Sequence, residues 1–319
     1  MSINSGQSEE YFPLGGVGAD EGVDVEEKGG QLRPASKRSG CKCCGTELNV
    51  DVPTLIAITA MSFTLTIASH EHLGHTLACV ALGGEPTEMG AFYVQCKTAS
   101  SLNERLVAIA GPVLSLVFGI VFMKVMDRAI AKDESSAHMK IFLWHFFTVN
   151  LMEATGYMMF SGIFGMGDLG TEDGGAAHGV QPLWLYRTFM GIVGLLAYLA
   201  VIFVSIKRFD LFIGGSQRER VRRAHWISLI AYLSGAFTAI GIGLLNPEGV
   251  MIVLTSTIPS SMGGTSGMMW MMQWLNREKV TGMNPFRLER NWYWIGSSIL
   301  TVLLYASVFG PTIPRTSIL

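Results

Sequence analysis

The sequence predicts an all-α integral membrane protein of about six to seven transmembrane helices behind a disordered N-terminal tail. Three observations predict it. The 319-residue chain is 49% hydrophobic and only 15% charged, where a soluble domain carries about a quarter charged residues. Several apolar runs reach the roughly 20 residues needed to cross a bilayer. Two of those runs also repeat small residues every four positions, the spacing that lets helices approach closely in lipid. Mean hydropathy is +0.37. No basic block is interleaved with aromatics, so nucleic acid is excluded as a partner and the lipid bilayer is the expected one.

Residues 1–52 are polar, rich in Gly and acidic residues and poor in large apolar ones, a composition that stays disordered. Cys41, Cys43 and Cys44 cluster near the end of this tail. Together with Cys79 and Cys96 they show no spacing that suggests a disulfide framework. The first apolar segment runs from about Pro53 to Leu82. With no signal-peptide pattern ahead of it, this segment is expected to target the chain. Gly83-Gly84 ends it, and Ala91-Phe92-Tyr93-Val94 then reads as a strand or hairpin. A second span covers about Leu106–Met126 with Gly111, Ser115 and Gly119 in register. A third covers Ile141–Phe164 and carries His145, Asn150, Glu153 and Tyr157. The fourth and fifth run from Leu183 to Ile206 and from Trp226 to Leu245. Residues 250–275 are apolar but interrupted by Pro259 and Gly263-Gly264, as in a broken or re-entrant segment. The last span is Trp292–Phe309. The Met268-Met272 run reads as packing or lipid-facing residues.

Charge orders these spans. With seven crossings and the N-terminus cytoplasmic, the inner segments hold 19 of the 23 Lys and Arg residues, as the positive-inside rule requires. The ends of the first and third spans then lie on one side, so His75 and Asp168 are able to meet.

The chemistry sits in His70-Glu71-His72-Leu73-Gly74-His75. Each ionisable group near a bilayer centre costs about 2.5–3.5 kcal/mol on insertion scales. Four in six positions therefore call for a compensating partner, most simply a metal ion. A zinc-hydrolase helix places two histidines one turn apart, with a glutamate beside the first to activate a metal-held water. Here the second histidine comes one residue later. On a regular α-helix His70 and His75 lie about 140° apart. A π-bulge, eased by Gly74, brings i and i+5 onto one face. In the other register the helix stays straight, with Glu71 and His75 at i, i+4 and His72 as the alternative ligand.

His70-Glu71 with Gly74-His75, Leu82-Gly83-Gly84, Ala110-Gly111-Pro112 in the next span and Gly167-Asp168 closing the third together resemble the site-2-protease type of intramembrane zinc metallopeptidase. The resemblance covers about residues 53–170, which makes that stretch the expected peptidase core and 171–319 a set of further spans. It implies one Zn2+ per chain on His70, His75 and Asp168, with Glu71 as general base. It also implies Asn150 as a residue that helps hold the substrate strand, and a membrane-spanning protein as substrate. The hexapeptide alone is similar to the longer His-Glu-x-x-Gly-His motif of the soluble dipeptidyl-peptidase III group, in which both histidines bind zinc.

The alternative is a metal-binding membrane protein without proteolytic activity, such as a transporter or a degenerate protease. Membrane di-iron oxygenases need several histidine boxes, whereas this chain has one cluster and four isolated histidines.

Overall fold

The computed structural model describes residues 49–132, 135–215, 217–275 and 285–314. The expected disordered tail and its Cys41, Cys43 and Cys44 cluster lie outside the described residues, apart from the last few positions before Pro53. The chain is an all-α, multi-pass membrane protein. Five helical stretches among the described residues are long and apolar enough to cross a membrane: Val52–Ala81, Ser101–Lys132, Leu183–Ile213, Glu219–Gly243 and Trp292–Phe309.

Helix α1 (Val52–Ala68) starts where Asp51 accepts from the Thr54 backbone N–H at 3.0 Å and Pro53 occupies the first turn. Its buried Thr59, Ser62 and Thr64 donate to carbonyls one turn back, which satisfies hydroxyls that lipid and protein cannot. The helix continues through a π-helical segment, Ser69–Thr76, into α2 (Leu77–Ala81). A hairpin follows, β1 (Glu85–Met89) with β2 (Val94–Lys97), paired Met89 to Val94 and Glu85 to Lys97. The Ala91–Tyr93 part of the expected strand is the hairpin tip. Ala91 and Phe92 are buried there, with their carbonyls accepting from the Tyr305 and Ser256 hydroxyls.

Helix α3 (Ser101–Lys132) presents its small-residue row inward. A methyl at Gly119 would overlap the Leu151 side chain, and one at Gly111 would overlap both His70 and His75. Helix α4 (Ala137–Phe164) is the centre of the bundle. It is long enough to span, yet its buried His145, Thr148, Asn150, Glu153 and Thr155 keep it from being an apolar crossing. Among its residues 141–156 only Phe142 is not fully buried.

Helices α5 (Leu183–Ile213) and α6 (Gln217–Gly243) follow. Gly235 of α6 receives the ring of Phe63 from α1. The stretch 250–274 is broken as expected: α7 (Val250–Ile252), π-helical pieces Val253–Thr257 and Pro259–Gly264, α8 (Gly267–Trp270) and a 3-10 turn, Met271–Trp274. Its freed backbone is covered by α4 and α6, and Met268, Met271 and Met272 are wholly inside the core.

Helix α9 (Trp292–Phe309) lies against α1, and β3 (Ile313–Pro314) adds to β1 in a sheet ordered β2-β1-β3. The expected 53–170 core is thus packed against the later helices within a single compact unit.

One cysteine expectation is corrected. Cys79 of α2 and Cys96 of β2 form a disulfide across a separation of 17 residues. The pairing depends on the hairpin returning its second strand over α2, which spacing alone does not reveal.

Candidate metal centre

The π-helical turn decides the register. It spends one extra residue per turn, so the chain turns far enough between 70 and 75 for both imidazoles to face α3. Gly74 serves it by close approach: a methyl there would lie 2.6 Å from the Gly111 Cα. Two glycines in contact thus let the first two spans touch where the histidines project.

Asp168 arrives from the far end of α4. Gly165, with φ of +80°, ends that helix, and Gly167, with φ of +82°, turns the chain again. Both conformations favour glycine. The Tyr186 hydroxyl donates to the Leu169 carbonyl at 2.7 Å and pins the turn from α5.

Three atoms then converge. Asp168 Oδ2 lies 3.0 Å from His70 Nε2 and 3.5 Å from His75 Nε2, and the two nitrogens are 3.2 Å apart. Two ligands on a tetrahedral zinc at about 2.1 Å each would be about 3.4 Å apart, so the triangle fits such an ion. His70, His75 and Asp168 are a group able to hold a metal.

The outer partners also suit this role. The Val107 carbonyl can only accept, so His75 Nδ1 carries the proton in their 2.7 Å hydrogen bond, leaving the Nε2 lone pair directed at the triangle. His70 Nδ1 is 3.1 Å from the Ser115 hydroxyl, and the Tyr157 ring stacks on His70 at 5.1 Å. Such partners fix ring orientation and raise ligand basicity.

Glu71 is buried, and its carboxylate has no hydrogen bond or ion pair among the described residues. It lines a cavity of about 760 Å³ together with His75, Asp168, Glu153 and Tyr157.

His72, the alternative ligand, is not brought to the triangle. It points to α9, where Nε2 lies 3.3 Å from the Tyr305 hydroxyl and the ring stacks on Phe309 at 3.7 Å. Asn150, expected to hold substrate, lies in the interface between α1 and α4. It is wholly buried and its amide donates to Thr66 Oγ1 and the Phe146 carbonyl, both at 2.8 Å. Its Oδ1 has no hydrogen-bond partner among the described residues.

Sequence reasoning did not foresee Val107, Ser115 and Tyr157 as partners of the histidines. For Ser115 a signal existed, since it shares the small-residue row with Gly111.

Gly111→Ala is expected to lower bound metal per chain to below half of the wild-type value, measured by elemental analysis of the purified protein. Its methyl would fall 2.7 Å from His70 Nε2 and nearer still to the His75 ring. Full occupancy in that variant would mean the triangle is not where metal sits. In comparisons with family models, curated proteins and solved structures, nothing matches this chain.

Proposed function

We propose that this chain is an intramembrane zinc metalloprotease of the site-2-protease type, hydrolysing peptide bonds of membrane-spanning protein substrates. In this reading His70, His75 and Asp168 hold one zinc ion. The observation that carries it is the triangle of two imidazole nitrogens and a carboxylate oxygen at 3.0–3.5 Å, opening on a cavity that Glu71 shares.

When bound, zinc supplies a Lewis acid that acidifies water and polarises a peptide carbonyl. The chain's own residues do the rest. Glu71, whose carboxylate makes no hydrogen bond or ion pair among the described residues, accepts a proton from water and returns it to the leaving amine. Ser115 and the Val107 carbonyl hold the two rings still. At about 760 Å³ the cavity lies within the usual size for ligand sites, and it admits water and a short unwound stretch of backbone. Its walls combine β2, α4 and the broken segment, through Val94, Phe160 and Pro259 among others.

The N-terminus is assigned to the cytoplasmic side. The Lys and Arg distribution supports this, and so does the Cys79–Cys96 disulfide. The disulfide lies beyond the first span, on the side the charge count places outside, where oxidising compartments keep disulfides.

Chelation tests the reading. Purified protein treated with 1,10-phenanthroline is expected to lose at least about 90% of its cleavage of a transmembrane-peptide substrate, and one equivalent of Zn2+ to restore it. Unchanged cleavage after chelation would remove the metal from the mechanism. A chain that binds zinc tightly but cleaves no membrane peptide would be a metal-binding protein instead.

A further inference from the structure

The cavity carries charge that the hydrolytic reading leaves unused. Its lining includes Glu71, Glu104, Glu153 and Asp168, with no Lys or Arg among the described residues. Asp168 is engaged by the histidines, and Glu71 is the proposed base. Glu104, in the first turn of α3, is exposed at the mouth. Glu153 is the one without a role. It is 4% exposed, it lines the cavity, and its carboxylate has neither a hydrogen bond nor an ion pair among the described residues. An ionised carboxylate buried in that state costs several kcal/mol unless a cation meets it or it takes up a proton.

The surroundings leave space for that partner. Glu153 lies on α4 one turn before Tyr157, whose ring stacks on His70, so it sits about 6 Å along the helix from the level of the metal ligands. Opposite it are Gly263 and Gly264 of the broken segment. An added Cβ at Gly264 would lie 4.0 Å from the Glu153 Cα, and one at Gly263 would meet only a carbonyl oxygen at 3.9 Å. Glycine at 264 lets the broken segment lie close on α4, where a Cβ at Gly156 would come 3.1 Å from the Gly264 Cα, and the space open to Glu153 is the cavity that it lines with Gly263 and Gly264. Tyr157, Phe160 and Pro259 line the same cavity and give apolar surface along which the stem of a long basic side chain can lie.

We propose that Glu153 is a specificity-determining residue, binding the ammonium or guanidinium of a Lys or Arg close to the scissile bond. Resting on the proteolytic reading, it names the substrate class: a transmembrane segment with a basic residue within about one turn of the cleavage point. Glu104 at the mouth and Glu153 inside make a path of negative potential that favours entry of a cation.

The test uses synthetic transmembrane peptides that differ at a single position, carrying Lys, Arg, norleucine or Glu, scanned through the apolar segment. Two readouts are taken. One is kcat/KM for cleavage by the full-length protein. The other is the Kd of the same fluorescein-labelled peptides for Glu71→Gln protein in detergent, by anisotropy. At one position Lys or Arg is expected to exceed norleucine by about 10- to 100-fold, the range for a charge-assisted bond. Glu153→Gln should bring that ratio close to one, and Glu153→Lys should turn it toward Glu.

Cleavage with no charge preference, or a preference that survives Glu153→Gln, would overturn the proposal while leaving the protease. A Lys preference in Kd that Glu153→Gln erases, with no cleavage by any form, would support cation selection and overturn the hydrolysis. If neither variant folds, the wild-type peptide series still overturns the proposal when Lys and Arg show no advantage over norleucine at any position.

Discussion

Glu71→Gln is expected to lower cleavage of a membrane-embedded peptide by about 10²- to 10⁴-fold while one metal ion stays bound per chain. That range is what a positioned general base contributes. The substitution keeps the shape of a side chain that is 6% exposed and removes only the proton acceptor. None of the three converging atoms belongs to Glu71, so metal content should hold. This separates the two readings of the site. A transporter or a degenerate protease would be indifferent to this change, since metal binding needs His70, His75 and Asp168 alone. Kinetics on purified protein, with metal measured on the same sample, check both halves. Cleavage within a few-fold of wild type would remove Glu71 from the chemistry.

Much of this architecture was legible because lipid imposes strict composition. The apolar runs located the long helices, and the four-residue repeat of Gly111, Ser115 and Gly119 named the face of α3 that α4 and the π-helical turn occupy. The meeting of His75 with Asp168 followed from counting charges across seven segments. What sequence could not settle was long-range. The choice between His70 and His72 depended on the contact of Gly74 with Gly111, 37 positions further along. A local spacing of five residues is compatible with either register.

Asn150 was named by resemblance, and its packing partner was not legible in the sequence. Its donors face Thr66, a threonine with no marked context in the sequence. Glu153 reads as a buried polar residue, and it is buried. That it also lines a cavity depends on the broken segment, more than a hundred residues away, forming the other wall. The disulfide and the pairing of β3 with β1 have the same cause, since both join segments whose proximity only the folded bundle creates.

The imidazole register carries the second large expected effect. His70→Ala is expected to weaken zinc binding by more than the roughly 10- to 100-fold that loss of an outer partner costs, because it deletes one corner of the triangle. Ser115→Ala, which leaves the ring present but unsteadied, should fall within that 10- to 100-fold range.

His72→Ala should leave zinc affinity within a few-fold of wild type. Its imidazole meets the Tyr305 hydroxyl at 3.3 Å and the Phe309 ring at 3.7 Å, so its loss is felt at α9. There the readout is a lower unfolding temperature in detergent, since a stacked ring and a polar contact are removed together. The three variants thus divide what proximity in sequence confuses: His70 and His72 are two residues apart, yet one should govern metal and the other helix packing. Competition with a fluorescent zinc chelator gives the affinities, and a thermal melt gives the stability. If His72→Ala lost zinc and His70→Ala kept it, the straight-helix register would be right and the triangle at α3 would be a hydrogen-bond cluster without metal.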